Sequence, residues 1–198
     1  MPTKTIAYYD SQATEYASTT KTVDMSSLYA KFLPLLPVNA HILDAGCGSG
    51  RDAYYFKCHG FKVSAFDASS AMASIAGELL QQPVNVLKFE EFDEENQYDG
   101  IWCCASLLHV ATDNLPSVFF RLHQALKPGA VLYASFKYGD GEREVNGRCF
   151  TDMNEEKLKN VAAKVSHLSI IKTWQTQDQR PERKNEVWFN ALLTKSTE

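Results

Sequence analysis

The spacing of apolar residues changes several times along this chain, and each change marks an element. Residues 3–20 are mostly polar, but Tyr9, Ala13 and Tyr16 fall on one helical face, which predicts a helix. A second helical stretch, Ser26 to Leu36, is closed by Pro34 or Pro37. From Ile42 a short continuous apolar run predicts a strand buried on both faces. It ends in Gly46, Gly48 and Gly50, and Arg51 to His59 follows as an amphipathic helix. Phe61 to Asp67 alternates as a second strand, Ser70 to Leu80 is helical up to Pro83, and Val84 to Phe89 reads as a third strand. The acidic run Glu90 to Glu95 is a solvated loop, and Tyr98 to Val110 is a fourth strand running into a tight loop. Thr112 to Leu126 is an amphipathic helix, Lys127-Pro128-Gly129 a turn, and Val131 to Lys137 a fifth strand. Gly139 to Arg148 is polar and glycine-rich, which predicts a mobile loop. A last helix, Asn154 to Lys164, precedes two strands, Ser166 to Trp174 and Glu186 to Lys195. Joined by the polar Gln175–Asn185 stretch, these form an antiparallel hairpin. Strands alternating with helices predict an α/β fold with helices on both faces of a parallel sheet.

Composition narrows the partners. At 198 residues the chain fits one domain, and 44% apolar with 12% aromatic residues is enough for a core. A net charge of −4 argues against a nucleic-acid face. No apolar run reaches the ~20 residues of a membrane span, and Met1-Pro2-Thr3-Lys4 lacks an apolar signal core. The five cysteines form no C-x-x-C pair and no zinc spacing, so the expectation is reduced thiols, a cytoplasmic location and no metal.

The glycine turn carries the chemistry. Strand, glycine turn and helix together open a nucleotide-binding unit, where glycines permit special backbone angles and close approach of a ligand to the helix start. The spacing is not the G-x-G-x-x-G of dinucleotide sites, because the position of its third glycine is Arg51. Asp44 at the strand end would repel a pyrophosphate and attract a cation.

Asp44, Gly46, Gly48 and Gly50 form a D-x-G-x-G-x-G run that resembles motif I of the class I S-adenosylmethionine-dependent methyltransferases. Their cofactor bears an ammonium and a sulfonium. The resemblance implies that S-adenosyl-L-methionine is held by Asp44, Gly46, Cys47, Gly48, Gly50 and Arg51. Asp67 and Ala68, at the end of the second strand, would take the ribose. Asp67 has the acceptors for two hydroxyls, and it is also placed to cap the next helix. Phe89 and Glu90 fall where the family contacts adenine. The run through Cys104, Ala105, Ser106 and His109 resembles motif IV of the small-molecule enzymes, which implies cofactor contacts at Cys104 and Ala105 and an acceptor contact at Ser106, and Leu126-Lys127-Pro128-Gly129 before a strand matches as well. The chain departs from base-modifying enzymes: it lacks both the Asp/Asn-Pro-Pro-Tyr/Phe box and a Pro-Cys nucleophile, so no nucleic acid is expected as substrate.

His109 has two readings, a base for the nucleophile or a loop-closing side chain bonded to backbone. Tyr9, Tyr16 and Met25 resemble an N-terminal lid bordering the methionyl end; the plainer reading of the tyrosines is a helix packed on the core. Arg143 and Arg148, on the polar loop, would suit an anionic or electron-rich acceptor, or simply be solvated. The resemblance covers nearly the whole chain and implies a seven-stranded, Rossmann-like methyltransferase sheet with a C-terminal antiparallel hairpin. It implies one domain, 1–198, with 1–37 a helical lid and 38–198 the α/β core. It points to small bacterial enzymes of the tellurite-resistance and thiol or halide type. The expectation is therefore methyl transfer to a small-molecule acceptor by direct displacement, by a monomer or weak homodimer with no membrane partner. The alternative is a non-catalytic nucleotide- or S-adenosylmethionine-binding regulator on the same fold.

Overall fold

A computed structural model describes residues 1–180, 183 and 185–197. Seven strands form one sheet: β1 (His41–Ala45), β2 (Lys62–Asp67), β3 (Asn85–Val86), β4 (Tyr98–Cys103), β5 (Leu126–Lys137), β8 (Leu168–Gln177) and β9 (Val187–Lys195). Their order is β3-β2-β1-β4-β5-β9-β8. The first five are parallel, and β9 runs antiparallel to both β5 and β8. The seven-stranded methyltransferase-like sheet and its C-terminal hairpin are as the sequence predicts.

The helices are α1 (Thr3–Thr20), α2 (Ser26–Phe32), α3 (Arg51–Cys58), α4 (Ser70–Leu80), α5 (Leu115–Ala125) and α6 (Glu155–Ala162). Two apolar clusters sit on the two faces of the sheet. One joins Leu43, Ile101 and Leu132 to Phe119 and Leu122 of α5 and to Leu158 of α6. The other joins Ile42, Trp102 and Tyr133 to Phe32 of α2 and to Phe56 of α3. Alternate strand residues thus face opposite helix layers. Local chemistry sets the ends of several helices. The Ser69 hydroxyl accepts from the Met72 amide to start α4, and the Asn154 side chain accepts from the Lys157 amide to start α6. No helix among the described residues is long and apolar enough to cross a membrane.

Two expectations need correction. The third strand is only Asn85–Val86, because both residues are exposed at the sheet edge and the chain then turns through a 3₁₀ segment, Phe89–Glu91, that buries Phe89. Gly139–Arg148 is not an irregular loop: Glu142–Val145 (β6) pairs antiparallel with Arg148–Thr151 (β7). Asn146 and Gly147 turn it with φ of 51° and 76°, the two left-handed residues of a tight hairpin. In the segment 1–37, Tyr9, Tyr16 and Thr20 of α1 line the cleft, and so do Val23 to Met25, Ser27 and Leu28. Leu28, Tyr29 and Phe32 of α2 are buried in the sheet-face core. The polar stretch 175–185 extends β8 to Gln177; positions 181, 182 and 184 lie outside the described residues.

Candidate active site

Going outward from β1, the chain builds β2 and then β3 on one side, then returns to lay β4 on the other. Loops after neighbouring strands therefore diverge between β1 and β4, which opens a crevice there. A cavity occupies that place, walled by the Gly46–Ser49 turn and the Cys104–Ser106 loop. Since β8 runs parallel to β5, its C-terminal end and the start of β9 fall on the same edge, so Thr176 to Arg180, Trp188 and Asn190 complete the cavity on that side.

The three glycines do different jobs. A Cβ on Gly46 (φ +72°) would lie 2.5 Å from Cβ of Ser106, and one on Gly50 (φ +80°) would lie 3.0 Å from Ala76. Gly48 (φ +54°) has nothing within 4 Å of that position, so its backbone borders open space. Its amide donates to Asp67 Oδ2 at 2.8 Å, while Asp67 Oδ1 accepts from the Ser69 amide at 2.9 Å. Since Ser69 caps α4, Asp67 is not the cap. It lines the cavity with lone pairs to spare, and burial pushes its carboxyl up.

Asp44 also lines the cavity, and its Oδ2 accepts from the Ala53 amide in the first turn of α3, a helix whose N-cap, Gly50, offers no side chain. Burial pushes the Asp44 carboxyl well up, and neighbouring Asp52 adds to this. Asp52 accepts from Arg51 Nε (2.6 Å) and Nη2 (2.9 Å), Tyr29 Oη (2.6 Å) and Trp102 Nε1 (2.8 Å). Burial pushes its carboxyl up too, but the Arg51 charge and these bonds outweigh it and hold it below the usual range. Arg51 Nη1 donates to the Thr20 carbonyl at 3.3 Å, so this guanidinium reaches the end of α1.

The helix α1 crosses the mouth on three clamps. Cys149 donates its amide to Thr5 Oγ1 (3.0 Å), Ser69 Oγ donates to Asp10 Oδ1 (2.7 Å), and Tyr9 Oη meets His109 Nε2 (2.8 Å). His109 Nδ1 lies 2.6 Å from the Cys149 carbonyl, which can only accept, so Nδ1 carries the proton. Burial pulls the His109 pKa down to about 4, so near neutral pH the ring is uncharged and Nε2 accepts from Tyr9. Burial likewise raises the Tyr9 phenol well above its usual value. Beneath them Ala105 holds a left-handed φ of 53°, with its amide on Ser135 Oγ at 2.8 Å. Such backbone in a non-glycine residue gathers at functional sites.

Tyr9, Tyr16, Met25, Cys47, Arg51, Cys104, Ala105, Ser106 and His109 all line the cavity, together with Asp44, Gly46, Gly48 and Asp67. Ser106 spends its hydroxyl on the Ala45 carbonyl (2.7 Å). Gly50 and Ala68 do not line it, Phe89 is core against Phe66, and Glu90 is paired with the Met1 amine. Arg143 is ion-paired with Asp152 on the surface. Arg148 is buried with its guanidinium carbon 4.4 Å from the Tyr8 ring, so it braces α1 from outside the cavity. Arg180 lies on the cavity wall, as Arg51 does. With Asp178, Trp188 and Asn190 it was findable from topology, because a strand antiparallel to β5 must bring its leading connection to the ligand edge.

A family model described as a methyltransferase domain matches residues 16–164. Over 108 residues the chain is 33% identical to a malonyl-[acyl-carrier protein] O-methyltransferase of Pectobacterium atrosepticum, an alignment covering 52% of this chain. The chain spans about two fifths of the length of the curated relatives it matches, 41% and 37%. Among solved structures, the 1,6-didemethyltoxoflavin-N1-methyltransferase of Burkholderia thailandensis, crystallised with 1,6-didemethyltoxoflavin and S-adenosylhomocysteine, has a TM-score of 0.80 at 22% identity. That match covers 98% of this chain and 88% of the other. The [4+2]-cyclase SpnF matches with a TM-score of 0.79 at 14% identity, over 100% and 98%. The two carry the same fold under names of different reactions, so fold alone does not fix chemistry.

Proposed function

The chain belongs to the methyltransferase domain family, and from that premise we propose that it transfers a methyl group from S-adenosyl-L-methionine to a small-molecule acceptor by direct displacement. The carrying observation is the Gly46–Ser49 turn. Gly48 presents bare left-handed backbone to open space, and its amide fixes Asp67, whose remaining lone pairs suit a ribose. Gly48, Asp67 and the adjoining Cys104–Ala105 loop would hold the cofactor, which supplies an activated methyl when bound.

The protein's own contribution is alignment and exclusion of water. The three clamps on α1 close the mouth, and Tyr9 and Tyr16 line it from above. An acceptor that must lose a proton can give it to Tyr9 Oη as the phenol proton moves to His109 Nε2, which is unprotonated near neutral pH but, with its pKa pulled down, holds that proton only weakly. A soft or anionic nucleophile, as in the thiol- and tellurite-type branch, needs no such step. A cavity crossed by a helix, on a chain of net charge −4, fits a small acceptor and no nucleic acid.

The test is release of S-adenosylhomocysteine with a panel of small thiols, amines, halides and chalcogen oxyanions, run beside DNA and tRNA. Turnover with a member of the small panel alone is expected. Transfer to DNA or tRNA at comparable rates would contradict the proposal.

A further inference from the structure

Asp178 is the most heavily bonded carboxylate on the cavity wall. It accepts from Arg180 Nε (2.8 Å), Nη2 (2.6 Å) and amide N (3.1 Å), from Trp188 Nε1 (3.0 Å) and from Lys137 Nζ (3.3 Å). Two oxygens with about four lone-pair directions are thereby filled, so Asp178 has nothing left for a ligand. Lys137 is spent too: its ammonium also pairs with Glu186 and lies 3.7 Å from the Trp188 ring centroid. Asn190 is committed in the same way, accepting from Tyr133 Oη (2.7 Å) and donating to Thr176 Oγ1 (3.0 Å). Arg180 differs. Its Nε and Nη2 edge is locked onto Asp178, and among the described residues Nη1 makes no hydrogen bond, while the side chain lines the cavity. A guanidinium fixed on one edge and open on the other presents charge-assisted donors in a set direction, with little rotamer freedom left to lose.

We infer that Arg180, held by Asp178 on the β8/β9 side of the cavity, binds an anionic group of the methyl acceptor, a carboxylate or comparable oxyanion. This rests on the methyltransferase reading above and adds the acceptor's charge class. Asp178 is a positioning residue for Arg180, and Trp188, pinned by the same carboxylate, fixes the wall beside it. Arg143, ion-paired on the surface, has no part in it.

The test uses full-length protein saturated with S-adenosylhomocysteine, titrated calorimetrically with matched probes: 2-mercaptobenzoate against 2-mercaptobenzamide, and 3-mercaptopropionate against 3-mercaptopropionamide. At least one acid should bind roughly tenfold or more tightly than its amide, the scale of one charge-assisted hydrogen bond. Arg180→Gln should abolish that preference while leaving S-adenosylhomocysteine affinity unchanged. Arg180→Lys, which keeps the charge, should retain part of it, and Arg143→Gln should retain all of it. Equal binding of acids and amides, binding of neither, or a preference that survives Arg180→Gln would overturn the inference. Absence of S-adenosylhomocysteine binding would instead overturn the cofactor reading. The acids would then be titrated into the free protein under the same criterion.

Discussion

The cavity has two sides built with the same device and put to different use. On the β1 side, buried Asp52 grips Arg51 by two nitrogens and takes the Trp102 indole N–H; on the β8/β9 side, buried Asp178 grips Arg180 by two nitrogens and takes the Trp188 indole N–H. The first set comes from one helix turn plus a strand, and the third nitrogen of Arg51 is spent on the Thr20 carbonyl of α1. The second draws on β5, the end of β8 and β9, and among the described residues leaves Nη1 of Arg180, a residue of the cavity wall, with no hydrogen bond. A guanidinium with all its edges used is structure, whereas one with an edge left over is a binding site. That is why the two sides are assigned different roles.

The largest effect should come from removing either aspartate. Both side chains are almost wholly buried and each satisfies several donors. Asp52→Ala and Asp178→Ala should each cost about 3–5 kcal/mol, because a buried cation loses its partner. Urea unfolding measures this, and a cost below about 1 kcal/mol for one of them would break the parallel.

A second effect separates the sides by pH. His109, beneath α1, titrates near 4 in the folded protein against 6.5 for a free imidazole. Below pH 6.5 the unfolded chain takes up a proton that the buried ring refuses. The stability is therefore present above that value and lost as pH falls toward 4, by up to about 3 kcal/mol. His109→Gln should flatten that window. Asp178 is lowered as well, but for the opposite reason: burial alone would raise it, and the Arg180 bonds outweigh that and hold it low. Its stabilisation is intact above the usual carboxylate pKa and fades only in stronger acid. Unfolding curves from pH 7 to 3 on wild type and His109→Gln resolve the two.

Within the glycine turn, Gly46→Ala should destabilise by about 2–3 kcal/mol, since its methyl meets Ser106 in a left-handed backbone. Gly48→Ala should cost only about 1 kcal/mol, because its methyl meets nothing. Tyr9→Phe should have a global effect as small as that of Gly48→Ala. Losing one hydrogen bond to His109 should cost about 1 kcal/mol globally but speed proteolysis within α1, where only Thr5 and Ala13 are fully buried.

What the sequence made legible follows the same division. The glycine turn, Asp44 and Asp67 could be placed beside the crevice because their positions depend on backbone conformation and on neighbours within one β-α-β unit. The sheet was legible because its buried strands carry an unmistakable apolar period. Asp178, Arg180 and Trp188 were not, because the ion-pair set joins residues 41 positions apart across strands whose neighbours only the topology decides. Val145-Asn146-Gly147-Arg148 was an overlooked local signal: Asn-Gly between extended residues is a hairpin turn, and taking it for loose loop misplaced the acceptor arginines onto β6 and β7. Phe89 shows the opposite limit, since the motif placed it by analogy and packing against Phe66 took it into the core.

The central claim is that the bare backbone at Gly48, beside Asp67, is where the cofactor lies. Calorimetric titration of S-adenosylhomocysteine into wild type and Gly48→Val tests it directly, with circular dichroism to confirm that the sheet is kept. The account predicts one saturable site in the wild type and none in the folded variant. Equal affinity in the two proteins would contradict it.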